Sequence, residues 1–286
     1  MNQVIATKAP AKINCFLKIM GRLPNGYHTI YTLFRKISLW DQLTIGVNYA
    51  GSSPKIEVRC HGLSGIPNGR DNLAFKAADL FMKKTGIMLD VRIDIKKTIP
   101  PGAGLGGGSS DASCVLRSLN TITGNPLSQT ELLKLASSIG ADCPFFLLEA
   151  SSAVGLGIGD DLYPVKIPKQ YFVLIFPNFF VNTRWAYAHY VLTKSEDEIS
   201  FVPEKLADFM HWANDLEGVV LKKYPVLKTY KKQLINHGAK IALMTGSGST
   251  IFGLFSNLDA AQRAKEAISR DFEIHEPLNV ELAESL

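Results

Sequence analysis

A dense run of glycines near the middle of this 286-residue chain is followed directly by two serines. Five glycines fall within seven residues, from Gly102 to Gly108, and Ser109 and Ser110 come next. Because glycine has no Cβ, this backbone is free to adopt positive φ angles and to approach a ligand closely. If a helix begins here, its unpaired amide groups and the positive end of its dipole favour an anion. The run therefore predicts a phosphate-binding loop.

The segments on either side of the glycine run are the elements that must position it. Residues 91–95 alternate apolar and polar side chains, which is typical of a half-buried strand. Residues 109–120 carry apolar side chains at helical spacing, so the predicted order is strand, loop and helix. A plain flexible loop is the alternative. Pro100 and Pro101 count against it, because they stiffen the start of the run.

The run matches neither of the two common phosphate-binding fingerprints. A P-loop has lysine immediately before its Ser or Thr, whereas Gly108 occupies that place here. A dinucleotide-binding turn follows its strand directly, whereas residues 96–101 intervene here. That turn also needs an acidic residue about 20 positions further on. The loop therefore belongs to another class of phosphate site.

The complete string from Pro100 to Ala112 resembles the ATP-binding motif of the GHMP kinases, named after galactokinase, homoserine kinase, mevalonate kinase and phosphomevalonate kinase. Two further segments, residues 9–14 and 244–253, resemble the other two motifs of that superfamily and occur in the same order. Five segments resemble one branch of that superfamily in particular. They lie at residues 12–14, 26–28, 106–112, 140–144 and 214–217. Members of that branch phosphorylate the 2-hydroxyl of a cytidine diphosphate-linked methylerythritol in the non-mevalonate route to isoprenoid precursors.

The resemblance implies an α+β fold with two domains. The expected N-terminal domain is like the second domain of ribosomal protein S5, and the expected C-terminal domain is ferredoxin-like, with the active site in the cleft between them. We place an ATP-binding domain at residues 1–160 and a second domain at 161–286, since residues 155–161 become glycine-rich and acidic. Capping and periodicity predict helices at 73–85, 129–139, 204–223, 228–236 and 259–270, and a strand at 171–176.

The resemblance also implies ATP as the phosphoryl donor, with Mg²⁺ arriving on the ATP rather than in a dedicated protein site. The predicted ATP-binding residues are Pro100, Pro101, Gly102, Ala103, Gly104, Leu105, Gly106, Gly107, Gly108, Ser109, Ser110, Asn72 and Lys96. Ordinary helix capping is the alternative role for Ser109, Ser110 and Asn72.

Two residues are the predicted catalytic pair. Taken alone, Asp142 in Gly-Ala-Asp-Cys-Pro reads as a turn residue and Lys12 as a surface lysine. The resemblance instead implies that Asp142 orients the acceptor hydroxyl and takes its proton. It also implies that Lys12 stands beside Asp142, keeps it ionised and offsets charge on the transferring phosphoryl group. Whether Asp142 is a base or mainly an orienting group is left open.

The resemblance further implies a site for a cytidine-linked polyol. The predicted substrate-binding residues are Asn14, Tyr27, His28, Thr183 and Tyr187. Tyr27 and Tyr187 are expected to stack on the two faces of cytosine, while His28 reads its edge. Trp185 is an alternative stacking residue. The second glycine loop, residues 246–248, is expected to face the substrate phosphates, with a plain β-turn as its alternative.

Composition fits a soluble enzyme and excludes several other classes. The chain is 46% hydrophobic and 20% charged with a net charge of +5, and its lysine pairs are scattered, so nucleic-acid binding is not expected. No membrane segment is expected, and the absence of targeting signals predicts the cytoplasm. The four cysteines show no zinc or disulfide pattern. The composition does not indicate an oligomeric state. A different kinase of the superfamily and a non-catalytic nucleotide sensor are the alternative functions.

Overall fold

The computed structural model describes residues 3–51, 53–192, 206, 208–273 and 278–286. Within these ranges the strands are β1 (Gln3–Arg22), β2 (His28–Tyr49), β3 (Ile56–His61), β4 (Leu89–Lys96), β5 (Ser152–Leu156), β6 (Asp161–Pro164), β7 (Tyr171–Phe176), β8 (Ile241–Met244), β9 (Ile251–Phe255) and β10 (Asn279–Glu284). The helices are α1 (Leu73–Thr85), α2 (Gly107–Ile122), α3 (Gln129–Ile139), α4 (Cys143–Leu147), α5 (Thr183–Ala188), α6 (Glu217–Lys223), α7 (Val226–Asn236) and α8 (Leu258–Glu273).

Internal contacts divide the chain into two compact units, each assembled from separate stretches of sequence. The first unit takes the residues up to Ala11, Leu39–Pro101 and Gly106–Glu149. The second unit takes Lys12–Ser38, Gly102–Leu105 and Ala150–Leu286. The chain therefore changes unit within β1, within β2, before and after residues 102–105, and between Glu149 and Ala150. The predicted domains, 1–160 and 161–286, divide the chain differently, and their boundary stays a prediction.

In the first unit, helices α1 to α4 accompany a small sheet. The last part of β2 is antiparallel to β4, with Ile45 opposite Ile93, and β4 is parallel to β3. Every second side chain of β4, from Leu89 to Ile95, is buried, as its alternation predicts. The apolar face of α2 is buried against the same core, in which α1 and α3 also take part. This packing holds β4 and α2, the two elements on either side of the glycine run.

In the second unit, the sheet order is β10-β7-β9-β8 and every neighbouring pair is antiparallel. β7 is central in that order and is buried from Phe172 to Phe176, so its sequence is a nearly continuous apolar run. Helices α7 and α8 pack against the sheet and contribute to one apolar core with it. The same unit includes the first part of β2, which pairs with β5, and the β5–β6 hairpin. Together the two units confirm the α+β class.

Several local predictions are confirmed by cap geometry. The sequence leaves Asp71 and Asn72 as alternative caps of α1, and it is Asn72 that accepts a hydrogen bond from the Ala74 amide. Gly86 ends that helix with a φ of 73°. Ser128 and Glu131 form a reciprocal capping box at the start of α3. The strand predicted at residues 171–176 coincides with β7.

The helix predicted at residues 204–223 is wrong over most of its described length. Residues 204, 205 and 207 lie outside the described part, the chain forms only a short 3₁₀ turn at Phe209–His211, and α6 begins at Glu217. The cause is a tertiary contact with β1. The Leu17 amide donates to the Ala213 carbonyl at 2.8 Å, and the Asp215 amide donates to the Leu17 carbonyl at 2.9 Å. Backbone groups that a helix would use are therefore bonded to β1.

Among the helices that the structure describes, none combines the length and the apolar character needed to cross a membrane.

Candidate active site

The glycine run has the predicted arrangement, because it joins the end of β4 to the start of α2. Gly102, Gly104 and Gly106 have φ angles of 64°, 79° and 70°, values that residues other than glycine rarely adopt. Gly106 is the N-cap residue of α2 and carries no side chain to satisfy the first amides of that helix. The helix therefore begins with free donors and with the positive end of its dipole at the loop.

The middle of the run, residues 102–105, belongs to the second unit and is hydrogen-bonded to other backbone groups of that unit. The Lys12 amide donates to the Leu105 carbonyl at 2.9 Å, and the Thr250 amide donates to the Ala103 carbonyl at 3.4 Å. A Cβ on Gly104 would collide with the Thr245 carbonyl oxygen and would lie 3.3 Å from that of Gly248. The backbone of Thr245 and of the second glycine loop therefore packs directly against Gly104, and it leaves no room for a side chain at position 104.

The two glycines that open α2 have different surroundings. A Cβ on Gly107 would lie 2.9 Å from Ile99 Cγ2, so a side chain there disturbs the packing of the first unit itself. A Cβ on Gly108 would meet only Leu73 Cδ1, at 3.6 Å, which is an ordinary contact. Gly107 is thus needed for packing, whereas Gly108 is exposed and open to a ligand.

Ser109 and Ser110 lie within the first turn of α2, so neither caps the helix, and Gly106 has that position. Ser110 is buried, and its hydroxyl has no hydrogen-bond partner among the described residues. Buried hydroxyls are usually paired, so this one is available to a ligand at the helix start. The capping alternative for both serines is therefore wrong, and their contact with phosphate or Mg²⁺ stays a prediction.

Lys12 and Asn14 form one polar network on β1. Lys12 Nζ donates to Asn14 Oδ1 at 2.7 Å, and Asn14 Nδ2 donates to Thr32 Oγ1 at 2.8 Å. Both side chains are buried, and the Lys12 ammonium lies 5.4 Å from the centre of the Phe34 ring. The bond to the Leu105 carbonyl fixes this strand directly beside the glycine run. The surface-lysine alternative for Lys12 is wrong.

Asp142 is half-buried at the N-cap position of α4, and its side chain makes no capping hydrogen bond. Pro144 lies in the first turn of that helix and restricts the backbone there. Burial raises the pKa of the neighbouring Cys143 thiol to about 11, so this thiol stays protonated at neutral pH. The role of Asp142 in proton transfer stays a prediction. Asp142 belongs to the first unit and Lys12 to the second, and their pairing stays a prediction.

The residues predicted for the nucleoside end of ATP have other surroundings in the structure. Asn72 uses Oδ1 to cap α1 and donates from Nδ2 to the Pro67 carbonyl at 2.9 Å. Lys96 is exposed at the end of β4, whereas its neighbour Lys97 is buried. Successive residues of a strand point to opposite faces, so only one of the two lysines faces inward. Contacts of Asn72 and Lys96 with ATP stay predictions.

Sequence reasoning missed a buried charge cluster made by Lys97, Asp41 and Asp111. Lys97 Nζ donates to Asp111 Oδ2 at 2.6 Å and also to Asp41 Oδ2. Asp41 Oδ1 in turn accepts from the amides of Thr98, at 2.6 Å, and Ile99, at 2.9 Å. The cluster therefore fixes the segment between β4 and the glycine run. The signal in the sequence was Asp111, which follows the two serines directly, but its partners are remote in sequence.

Two of the predicted base-binding residues lie together in the second unit. The rings of His28 and Tyr187 have centroids 5.3 Å apart with 33° between their planes. Burial and the nearby charge of Arg22 lower the pKa of His28, which favours the neutral imidazole at pH 7. Tyr27 precedes β2 and is 61% exposed, so its ring has a free face.

Trp185, the alternative stacking residue, lies in a different cluster. Its ring is 4.7 Å from that of His189, and Lys223 Nζ lies 3.8 Å from its centroid. Residues two apart on a helix point about 200° apart, so Trp185 and Tyr187 face different surroundings. Thr183, at the start of the same helix, shares a hydrogen bond of 2.8 Å with the Ser247 hydroxyl. The second glycine loop is thus joined to α5.

Two family models match this chain, GHMP kinases N terminal domain over residues 72–150 and GHMP kinases C terminal over residues 190–274. A protein of Syntrophotalea carbinolica named 4-diphosphocytidyl-2-C-methyl-D-erythritol kinase is 40% identical over 91% of this chain and 93% of its own length. The chain belongs to this family of kinases. Another member, from Geotalea daltonii, is 38% identical over 94% of this chain and 96% of its own.

Solved structures agree with membership of this kinase family. A crystal structure of 4-(cytidine 5'-diphospho)-2C-methyl-D-erythritol kinase superposes with a TM-score of 0.82 at 34% identity, over 98% of this chain and 99% of that one. Homoserine kinase of Cytophaga hutchinsonii gives a TM-score of 0.71 at 18% identity, over 99% and 94% of the two chains, and shows the shared fold alone. The chain is therefore an ATP-dependent kinase of the GHMP type.

Within this kinase, the carboxyl of Asp111 is expected to give stability an unusual pH dependence. Burial raises its pKa to about 7, with Lys97 opposing the shift and Asp41 adding to it. An unfolded aspartate has a pKa of about 3.9, so between these values the folded protein binds the extra proton and stability falls as pH rises. The loss is complete above the folded pKa and absent below the unfolded one. The window therefore runs from about pH 4 to about pH 7.

Replacing Asp111 by asparagine is expected to remove this penalty while keeping an acceptor for Lys97. The Tm of Asp111→Asn, measured relative to the unchanged protein, should rise between pH 5 and pH 7 and then level off. The corresponding difference in the free energy of unfolding should change by at most about 1.4 kcal/mol per pH unit. Asp79→Asn is the control, because Asp79 belongs to a surface pair with Lys83 at 2.7 Å and should show little change. A relative Tm of Asp111→Asn that stays constant or falls across this range would contradict the assignment.

Proposed function

We propose that this kinase transfers the γ-phosphoryl group of ATP to the 2-hydroxyl of 4-diphosphocytidyl-2-C-methyl-D-erythritol. Relatives about 40% identical over nine-tenths of the chain carry this name, and their similarity extends over both units. The observation in the structure that carries the proposal is the pair of rings from His28 and Tyr187, next to the exposed Tyr27. A mevalonate-like alcohol has no base for such a group of rings to recognise.

In this proposal the glycine run holds the triphosphate. Free amides at the start of α2 and along residues 102–108 donate to phosphate oxygens, and the helix dipole favours their charge. The missing side chain of Gly108 leaves room for the ligand, and the unpaired Ser110 hydroxyl fits a phosphate oxygen or Mg²⁺. Mg²⁺ would neutralise charge on the β- and γ-phosphates. Among the described residues no cluster of three or more His, Cys, Asp or Glu side chains suits a metal.

The phosphoryl group then passes from ATP to the acceptor hydroxyl. The 2-hydroxyl oxygen bonds to the γ-phosphorus, the bond to the oxygen that bridges to the β-phosphate breaks, and ADP leaves with that electron pair. Asp142 orients the hydroxyl and receives its proton. Lys12 offsets the charge that develops on the transferring group. Asn14, which Lys12 and Thr32 hold in place, hydrogen-bonds the methylerythritol hydroxyls.

Cytosine recognition is proposed to come from Tyr27, His28 and Tyr187. Tyr187 is favoured over Trp185 as the second stacking residue, because Tyr187 contacts His28 while the ring of Trp185 lies against His189 and Lys223. The neutral imidazole of His28 can both donate to and accept from the edge of the base. Thr183 lies beside the second glycine loop, where the substrate phosphates are expected. The predicted location, the cytoplasm, stays a prediction.

The test is an ATP-consumption assay with the cytidine substrate and with methylerythritol phosphate, which lacks the cytidine. Loss of one stacked ring costs about 1–3 kcal/mol in single-strand binders, so Tyr27→Ala and Tyr187→Ala should each raise KM for the cytidine substrate roughly five- to a hundredfold. Affinity for ATP should not change. Tyr49→Ala is the control, because Tyr49 is 63% exposed in the first unit. Trp185→Ala tests the alternative stacking residue.

The truncated substrate separates the proposal from the alternatives. The unchanged kinase should use methylerythritol phosphate very poorly, and the tyrosine variants should differ little from it with that substrate. Equal use of both substrates by the unchanged kinase would refute cytosine recognition and leave a GHMP kinase with another alcohol substrate. ATP binding without turnover of any polyol would favour the nucleotide sensor.

A further inference from the structure

The segment Asn214-Asp215-Leu216-Glu217, which precedes and opens α6, directs all three of its polar side chains to backbone groups. Asp215 Oδ2 accepts from the Ile19 amide of β1 at 2.7 Å. Glu217 Oε1 accepts from the Met244 amide at the end of β8, also at 2.7 Å. The segment therefore joins β1 to the strand that leads into the second glycine loop, and its central contact is made by Asn214.

The carboxamide of Asn214 is fully used and buried, with 6% of the residue exposed. Its Nδ2 donates to the carbonyls of Met244 and Gly246, at 2.7 Å each, and its Oδ1 accepts from the Leu216 amide at 3.0 Å. One nitrogen thus bridges two carbonyls on either side of Thr245. This bridge sets the course of the backbone as it leaves β8 and enters the loop.

The backbone that Asn214 holds contacts both the glycine run and β1. Thr245 Oγ1 accepts from the Asn14 amide at 2.9 Å. Gly246 has a φ of 56°, and a Cβ on it would lie 3.3 Å from Asn14 Oδ1 and 3.4 Å from the Gly104 carbonyl. The Thr245 carbonyl is the group that leaves no room for a Cβ on Gly104. A shift of residues 244–246 therefore displaces Gly104 and Asn14 together.

We propose that Asn214 is a positioning residue of the kinase. By holding residues 244–246 it sets the place of Gly104 in the ATP loop and of Asn14 beside Lys12. The inference rests on the proposed function in assigning ATP to the loop and substrate to Asn14. A purely structural asparagine would affect stability alone, whereas this one acts on ligand affinity and turnover through the second glycine loop.

The matched control is Asn120 in the first unit. It is 5% exposed, and its carboxamide donates to the Leu127 carbonyl and accepts from the Leu127 amide, both at 3.0 Å. It lies 13 residues along α2 from Gly107, or about 20 Å at the usual helical rise. Asn120→Ala therefore removes comparable hydrogen bonds at a distance from the glycine run. Asn214→Ala and Asn120→Ala should lower Tm to a similar degree.

The measurements are the Kd for ATP by calorimetry, and kcat and KM with the cytidine substrate. Asn214→Ala should weaken ATP binding at least roughly fivefold, from the usual contribution of a hydrogen bond. It should lower kcat by roughly ten- to a hundredfold, as expected for a small misplacement of reacting groups. Asn120→Ala should change both by less than about twofold. Asn214→Ser, which keeps a short hydroxyl, carries the same prediction in milder form if the alanine variant does not fold.

A double variant tests whether the effect passes through the loop. Thr245→Val removes the acceptor of the Asn14 amide. The fold-decreases in ATP affinity and kcat in the double variant should therefore be smaller than the product of those in Thr245→Val and Asn214→Ala. ATP affinity and kcat unchanged in the Asn214 variants, or fully multiplicative effects in the pair, would overturn the proposal. If the unchanged protein binds ATP but does not phosphorylate the cytidine substrate, the proposed function fails and the ATP measurement still tests Asn214.

Discussion

Replacing Asp142 by asparagine is expected to lower kcat at least roughly a hundredfold, the lower end for a positioned acid or base. Asparagine keeps the shape of the side chain but has no charge and accepts no proton. Thermal unfolding of the variant separates a loss of kcat from a loss of folded protein. KM for the cytidine substrate and the Kd for ATP should change little. Steady-state kinetics with calorimetric ATP binding would measure all of these effects.

Two further variants test the same assignment, one at the other predicted catalytic residue and one as a control. Lys12→Met should also lower kcat, because it removes a charge aimed at the transferring phosphoryl group. Its Tm will fall as well, since Lys12 is buried and bonded to Asn14. Asp160→Asn, at a half-buried aspartate in the β5–β6 turn, should leave kcat unchanged. Near-normal turnover in Asp142→Asn would mean that another group accepts the proton.

The substitution Gly104→Ala is expected to weaken ATP binding severely. Alanine there must adopt a φ near 79° and must place its Cβ against the Thr245 carbonyl. The loop, the second glycine loop or both must then move away from each other. ATP affinity should fall by more than roughly a hundredfold, because misplaced groups cost that much in oriented sites. Calorimetry would measure the affinity, and thermal unfolding would measure the stability.

Gly238→Ala separates the steric effect from the strain of a positive φ. Gly238 lies in the same unit with a φ of 93°, and nothing lies within 4 Å of a Cβ placed on it. That variant should lose about 1–2 kcal/mol of stability, as a side chain in the left-handed region does, and should bind ATP normally. Comparable ATP affinities in the two variants would show that close packing of the second glycine loop against Gly104 is not needed for ATP binding.

Local signals in the sequence determined much of the secondary structure. The caps at Asn72 and Ser128 and the glycine that ends α1 act within one helical turn, so their partners are visible as neighbours in the sequence. The alternation of β4 and the spacing of α2 report which side chains are buried. The order of strand, glycine run and helix followed from these signals, and the family resemblance extended them to a kinase.

Contacts between distant residues decided the rest. Asn214 belongs to a segment with helical composition, yet β1 takes its neighbours' backbone groups, and the predicted helix does not form there. Asp41 and Lys97 are 56 residues apart, and their cluster with Asp111 was not visible in the sequence. The difference between Lys96 and Lys97 depends on which face of β4 is covered.

The resemblance of its motifs therefore indicated the family, while glycine content, capping and periodicity predicted the phosphate-binding loop and several helices. Only the tertiary structure decided that the second glycine loop packs against Gly104. It also decided that Lys97 rather than Lys96 is buried, and that Tyr187 rather than Trp185 contacts His28. The physical reason is range. Helix caps and periodicity depend on hydrogen bonds and burial among residues close in sequence. The contact between the two glycine loops, the buried charge cluster and the ring pair form only after remote segments have packed together.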